Sequence, residues 1–324
     1  MRIGTSKLVT VVAALALGIV VSATLAQTYP SRAPRLIVGA SAGGTADTVA
    51  RLVAQKLGER LGQSVLVENR PGGDTIIGAE AVAKAAPDGY TLLFATGSTF
   101  TLLPHTRKSL PFDPVKSFAH VAQIAYVQFV LSVNPSVPAA NVAELIALAR
   151  GKPGQLSYAA ASETGRLTAE MFKIATGTDI VHVPYKGAAA ATTDLLAGHV
   201  NMMFTATPGV VPHINANRLK ALAVSGDHRS PALPDVPTLA ESGVKGFESS
   251  TAWGISAPAG TPRAIVMRVS QEVGRVLEMP DIAEKLLAQG AEPRPGSPEQ
   301  FIAVLKAESE KHREVVRRIG LKPE

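Results

Sequence analysis

The chain has no cysteine among its 324 residues. That excludes disulfides, thiolate metal sites, a catalytic thiol and a lipid-anchored N-terminal cysteine. Small exported folds usually need disulfides, but a chain this long can bury enough core to do without them. Aromatic residues are scarce, 5% of the total, and basic residues are scattered; the one dense run, 311–318, also holds Glu314. Nucleic-acid binding needs clustered basic residues with stacking aromatics between them, so no nucleic-acid partner is expected. No H-x-x-x-H or H-E-x-x-H pair occurs, and His182 and His199 stand far apart, which argues against a metal site. G-x-G-x-x-G is also missing. Glu68 ends a strand-like run where a ribose-binding acid could sit, but without that glycine pattern it reads as part of a turn with Asn69, Arg70 and Pro71. No cofactor is predicted.

The apolar run Leu8–Val21 carries no charge and is shorter than the roughly 18–20 residues that span a bilayer. Arg2 and Lys7 precede it. Small residues follow, with Thr24 and Ala26 just before Gln27, and no basic stop-transfer cluster comes after Val21. This order predicts a signal peptide over residues 1–26, cleaved near Ala26–Gln27, and a periplasmic protein. About 298 residues remain (324 minus 26), and the net charge falls from +6 to +4 once Arg2 and Lys7 are gone.

Strand-like and helix-like runs alternate in the remainder. Arg35–Ala40 reads as a strand and Thr45–Leu61 as a helix, with Val49, Leu52, Val53, Leu57 and Leu61 at helical spacing. Further strands are expected at Ser64–Glu68, Tyr90–Ala95, Leu156–Ala159, Ile180–Val183, Val200–Phe204 and Leu219–Val224. Helices are expected at Ile76–Ala86, Asn141–Arg150, Arg166–Thr176, Ala188–Ala197, Pro262–Leu277, Ile282–Ala288 and Pro298–Ile319. Val121–Val133 is too long for an ordinary strand, and together with Thr251–Ala257 it reads as a crossing between two units. The prediction is an α/β fold of two lobes, each a mixed sheet flanked by helices, with a cleft between them. Residues 27–128 plus 251–324 form the first lobe and 129–250 the second.

In open α/β sheets ligands sit at the carboxyl ends of strands, and four loops fall there. The first holds Ser41, Gly43, Gly44, Thr45 and Asp47; its glycines admit a ligand close to the backbone, and its helix start favours an anion. Thr96 and Ser98 in the second offer hydroxyls. The third holds Ser162, Thr164, Gly165 and Arg166, whose guanidinium fork suits a carboxylate. Tyr185 and Lys186 in the fourth add an aromatic wall and a cation. Together they predict a cleft for a small organic anion. Asp47 is expected to position the first loop or a water rather than to touch an anionic group, and Glu163 to face solvent.

Longer motifs carry a resemblance. They are G-G-T-A-D at 43–47 with Ala50-Arg51, E-N-R-P-G-G at 68–73, I-G-A-E-A-V-A-K-A-A-P-D-G-Y-T-L-L at 77–93, and L-P-F-D-P at 110–114. H-V-P-Y-K-G at 182–187, L-P-D-V-P-T at 233–238 and A-P-A-G-T-P at 257–262 complete the set. In this order the chain resembles the substrate-binding proteins of tripartite tricarboxylate transporters, the Bug-type (TctC-like) periplasmic receptors. The resemblance implies a two-lobed fold of the type II periplasmic-binding-protein kind that closes on a small organic carboxylate. Loops 43–47 and 162–166 would hold it through backbone N–H groups, hydroxyls and waters. It also implies delivery to the membrane permease subunits of such a transporter, or signalling to a sensor protein instead, by a receptor expected to be a monomer without catalysis. Two departures stand out. Ala42-Gly43-Gly44 replaces the family's P-G-G, and the third loop, in the family small and hydroxyl residues ending in Ser with His-Leu a little later, here reads A-A-S-E-T-G-R-L, with Arg166 before Leu167.

One alternative has a motif of its own. Gly39-Ala40-Ser41-Ala42-Gly43 matches G-x-S-x-G, the nucleophile elbow of α/β hydrolases, between a strand and a helix. It follows the first strand of the mature chain, however, so no earlier loop exists to supply an oxyanion hole. His105, His120, His182, His199 and His213 stand in no recognisable partner motif.

Overall fold

A computed structural model describes residues 29–323. The predicted signal peptide lies outside the described residues. Among those described, no helix is long and apolar enough to cross a membrane.

The first lobe opens with β1 (Arg35–Val38), buried from Leu36 onward. α1 (Thr45–Leu61) buries Val49, Val53, Leu57 and Leu61, one stripe at i+4 spacing, and stops at Gly62 in the left-handed conformation. β2 (Leu66–Asn69) and β3 (Thr91–Thr96) lie parallel on either side of β1, and α2 (Ile76–Ala83) connects them. Two single-turn helices, α3 (Ser98–Thr101) and α4 (Leu103–Thr106), follow β3 where the sequence pattern shows only a loop.

β4 (Phe118–Val133) then runs through both lobes. Residues 118–128 pair antiparallel with β9 (Ser250–Pro258), whereas residues 129–133 pair with β7 (Met202–Ala206). The strand thus changes partners between Gln128 and Phe129. The second lobe contains α5 (Val142–Gly151), β5 (Ser157–Ala160), α6 (Glu163–Thr176), β6 (Val181–Pro184), α7 (Ala188–Ala197), β7, α8 (Val211–Asn215) and β8 (Lys220–Val224). After β9 come α9 (Arg263–Leu277), α10 (Pro280–Gln289), β10 (Ala291–Gly296) and α11 (Pro298–Ile319).

The strands follow the order β2-β1-β3-β9-β4-β7-β5-β6, with β8 and β10 also on β4. The flanks are parallel and the ladders on β4 antiparallel, so the two mixed sheets are joined through β4 into one path. Each lobe has helices on both faces. In the first, Val49, Leu57, Val269 and Ile282 cover one face, and Ala79, Val82 and Phe301, clustered with Ile37 and Leu93 of the sheet, cover the other. In the second, successive residues of β4 serve opposite faces, Val130 beside Leu195 and Met203, Leu131 beside Phe172 and Phe204. Leu57 is fully buried, and truncating such a residue to Ala costs about 2–5 kcal/mol.

Two differences from the sequence pattern have clear causes. β10 contains Pro293 and Pro295, which disguise it; it tolerates them because it pairs only with β4, and its register shifts between Pro293 and Gly296. α6 starts at Glu163 rather than Arg166, because the Ser162 side chain caps it by accepting the Gly165 N–H at 3.2 Å.

Candidate functional site

The first-lobe wall begins where β1 gives way to the turn before α1. Gly43 sits at φ 72°, a conformation glycine adopts without strain, and the Gly44 N–H donates to the Ser41 carbonyl at 3.1 Å. Gly44 is the N-cap of α1 and supplies no side-chain acceptor. The first-turn amides of α1 therefore have no capping side chain. The Thr45 hydroxyl is buried and has no hydrogen-bond partner among the described residues. Ser41, Gly44 and Thr45 line a cavity, and Thr96 and Ser98, their hydroxyls 3.3 Å apart, line it from the end of β3.

Gly43 and Asp47 stand behind this wall. Asp47 is buried and accepts from the Gly43 N–H at 2.9 Å, Arg51 Nε at 2.9 Å and Asn69 Nδ2 at 2.8 Å. Burial pushes its pKa up, but the bonds from Arg51, Gly43 and Asn69 outweigh it and hold the carboxyl below its ordinary value.

The second-lobe wall uses two helix starts. At α7 the N-cap Gly187 provides no side-chain acceptor, and Lys186 beside it lines the cavity. Lys186 is exposed and forms no ion pair among the described residues. Tyr185 turns elsewhere, its hydroxyl donating to Asp194 Oδ2 at 2.6 Å. At α6, Ser162 and Thr164 line the cavity. Gly165 lies against the Phe204 carbonyl, which a Cβ there would approach to 2.7 Å.

Glu163 corrects an expectation: it is buried, not turned to solvent. It lies 3.6 Å from Arg107 of the first lobe and 3.8 Å from Arg166, and its own N–H donates to Asp74 Oδ2 at 3.1 Å. Arg166, its guanidinium expected to suit a carboxylate, stands in the first turn of α6 beside Glu163 and outside the cavity wall. Lys186 is the cation that faces the cavity.

The two lobes meet around this space. A Cβ on Gly187 would lie 3.0 Å from Ser41 Oγ, and one on Gly209 would lie 2.3 Å from Thr45 Oγ1. The cavity between them has a volume of about 120 Å³ and an apolar floor of Phe129, Phe204 and Trp253. A void of that order takes a molecule the size of benzene. Asp74 and Thr75 escape sequence reasoning, yet both line it, at φ 51° and 78°. Such angles are costly for a non-glycine residue, most of all a β-branched one, and tend to cluster at ligand sites. A Pro-Gly-Gly turn announces a bend there, but no periodicity says which side chain the bend turns inward. No histidine lines the cavity among the described residues, and no metal-binding cluster of His, Asp and Glu occurs among them.

Two α/β lobes, joined by long shared strands and closing over a small pocket rich in hydroxyls and helix starts, define a solute receptor of the periplasmic-binding-protein type. Its particular kind follows from comparison with known proteins. The chain belongs to the tripartite tricarboxylate transporter family receptors, whose family model matches residues 49–321. Among its relatives, Protein BugT of Bordetella pertussis is 35% identical over 304 residues, covering 92% of each chain. Among solved structures, R. palustris Rpa4515 with adipate is 37% identical with a TM-score of 0.89, covering 91% of this chain and 100% of its own. MatC from Rhodopseudomonas palustris with bound malate is 29% identical with a TM-score of 0.84, covering 89% and 100%.

Proposed function

We propose that the protein is exported to the periplasm by its leader, captures a small organic carboxylate in the interlobe cavity and delivers it to the permease of a tripartite tricarboxylate-type transporter. One observation carries this reading: the two helix starts without a side-chain cap, α1 in the first lobe and α7 in the second, face one cavity together with Lys186. Amides at a helix start and an ammonium group both favour an anion. The adipate and malate carried by the two relatives support the ligand class.

Capture needs no bond making. The lobes 27–128 plus 251–324 and 129–250 move about the crossings of β4 and β9, and the closed form gains when one ligand touches both walls. The Thr45 hydroxyl then finds the partner it lacks. Only the closed shape presents both lobes in register to a permease. The hydrolase alternative at Ser41 has no supporting observation at the cavity, since no histidine lines it among the described residues.

A thermal-shift screen against organic acids and their methyl esters tests the reading. At least one acid is expected to raise the melting temperature and to be recovered unchanged, while its ester has no effect. Stabilisation by esters as strong as by acids, or turnover of them abolished in Ser41→Ala, overturns it.

A further inference from the structure

Among the described lining residues the cavity holds one acid, Asp74, facing a site whose other charged group is Lys186. A carboxylate there opposes an anionic ligand unless a donor comes between them. Asp74 Oδ2 is occupied by the Glu163 N–H at 3.1 Å, whereas no donor reaches Oδ1 among the described residues. Arg107 and Arg166 approach Glu163, at 3.6 Å and 3.8 Å, and from there their charges offset part of that on Asp74. Asp74 is held in place from both sides, by that bond across the lobes and by Thr75, whose hydroxyl pairs with Thr99 at 2.8 Å.

We propose that Asp74 is the specificity-determining residue of the cleft, selecting carboxylates that also carry an ammonium or hydroxyl donor over unsubstituted acids of the same length. This rests on the carboxylate reading above. The ligand's acid group goes to the helix starts and Lys186, and its donor goes to Asp74 Oδ1. An ammonium ion, which offsets the negative charge of half-buried Asp74, ranks first, a hydroxyl second and a bare methylene last. Burial, and then the charge of Glu163, push the Asp74 carboxyl up to about 6, so at neutral pH it is mostly ionised and acts as an acceptor.

Calorimetry with matched series tests this: succinate, malate and aspartate, then glutarate, 2-hydroxyglutarate and glutamate, at pH 7.5. In each series that binds, the wild-type protein should prefer the donor-bearing acids by roughly ten- to a hundredfold, the range for one hydrogen bond to a charged group. Asp74→Asn should bring that ratio close to one, mainly by improving the unsubstituted acid, while Asp74→Glu should keep a preference of the same sign. Unsubstituted acids that bind the wild-type protein as tightly as their substituted partners, or an unchanged ratio in Asp74→Asn, overturn the inference and leave the carboxylate reading standing. If no acid in either series binds the wild-type protein or its variants, the inference fails, and the thermal-shift screen decides the carboxylate reading separately.

Discussion

Asp47 Oδ2 accepts the Gly43 N–H at 2.9 Å, fastening the loop before α1 to the helix it precedes. The same oxygen takes Arg51 Nε, and Oδ1 takes Asn69, so the carboxylate is spent on donors behind the wall. Asp47→Ala leaves those donors unpaired and should lower stability by about 1–3 kcal/mol, with weaker ligand binding as a consequence of a loosened loop. Because the folded carboxyl titrates below its ordinary value, the stabilisation is present above pH 4 and lost as pH falls through the folded pKa. Denaturant unfolding of both proteins at pH 7 and pH 3 checks this; a gap that does not narrow at pH 3 contradicts it.

Lys186 and Arg166 should separate cleanly. Lys186 faces the cavity, so Lys186→Ala is expected to weaken carboxylate binding by about 1.5–3 kcal/mol with little change in melting temperature. Arg166 stands beside buried Glu163, so Arg166→Ala should chiefly lower the melting temperature. Titration calorimetry paired with thermal melts gives both numbers, and the opposite assignment of effects would reverse the roles.

Asp74 should make stability depend on pH. Its folded pKa, about 6, lies above the ordinary aspartate value, so the folded state holds a proton that the unfolded chain releases earlier. The contribution to stability is complete below about pH 4 and disappears as pH rises through 6. Asp74→Asn should therefore melt higher than wild type at pH 7.5, by up to about 3 kcal/mol, and equal it at pH 4. Equal melting temperatures at both pH values would contradict this.

A second acid with a raised pKa lies at the crossing strand β9. Glu308 of α11 accepts the Ala252 N–H of β9 at 2.8 Å through Oε1, while Oε2 is buried without a partner. Burial pushes this carboxyl up to about 7, with the charge of Glu248 adding to it. Its contribution is complete below the ordinary glutamate pKa and lost as pH rises through 7. Glu308→Gln keeps an acceptor for Ala252 and should flatten the stability profile between pH 5 and 8, measured by urea unfolding. A profile that stays as steep in the variant contradicts this.

Much of the fold was legible because it rests on local pattern. The helix 45–61 declares itself by Val49, Val53 and Leu57, and 298–319 by Pro298 in its first turn. The crossing at 121–133 is visible because its mostly apolar run, broken only by Gln123, Gln128 and Ser132, exceeds an ordinary strand. What escaped depends on pairing or burial across the chain. β10 is a strand only because β4 offers it an edge, and Glu163 looks solvent-facing until Arg107, 56 positions earlier (163 minus 107), arrives beside it. In the cleft, the hydroxyl and glycine loops could be seen from the strand–loop–helix order, and Ser41, Thr45, Thr96, Ser162 and Lys186 do line one cavity. Asp74 could not, since its inward turn comes from four successive positive φ angles, at residues 72–75, that no periodic signal encodes.

A crystal structure of the protein grown with an acid that raises its melting temperature tests the central claim most directly. The account predicts a carboxylate in the cavity, within about 3 Å of amides at the start of α1 or α7 and close to Lys186. An acid bound on the outside of either lobe, or one in the cavity whose carboxylate points at the Phe129–Trp253 floor, would contradict it.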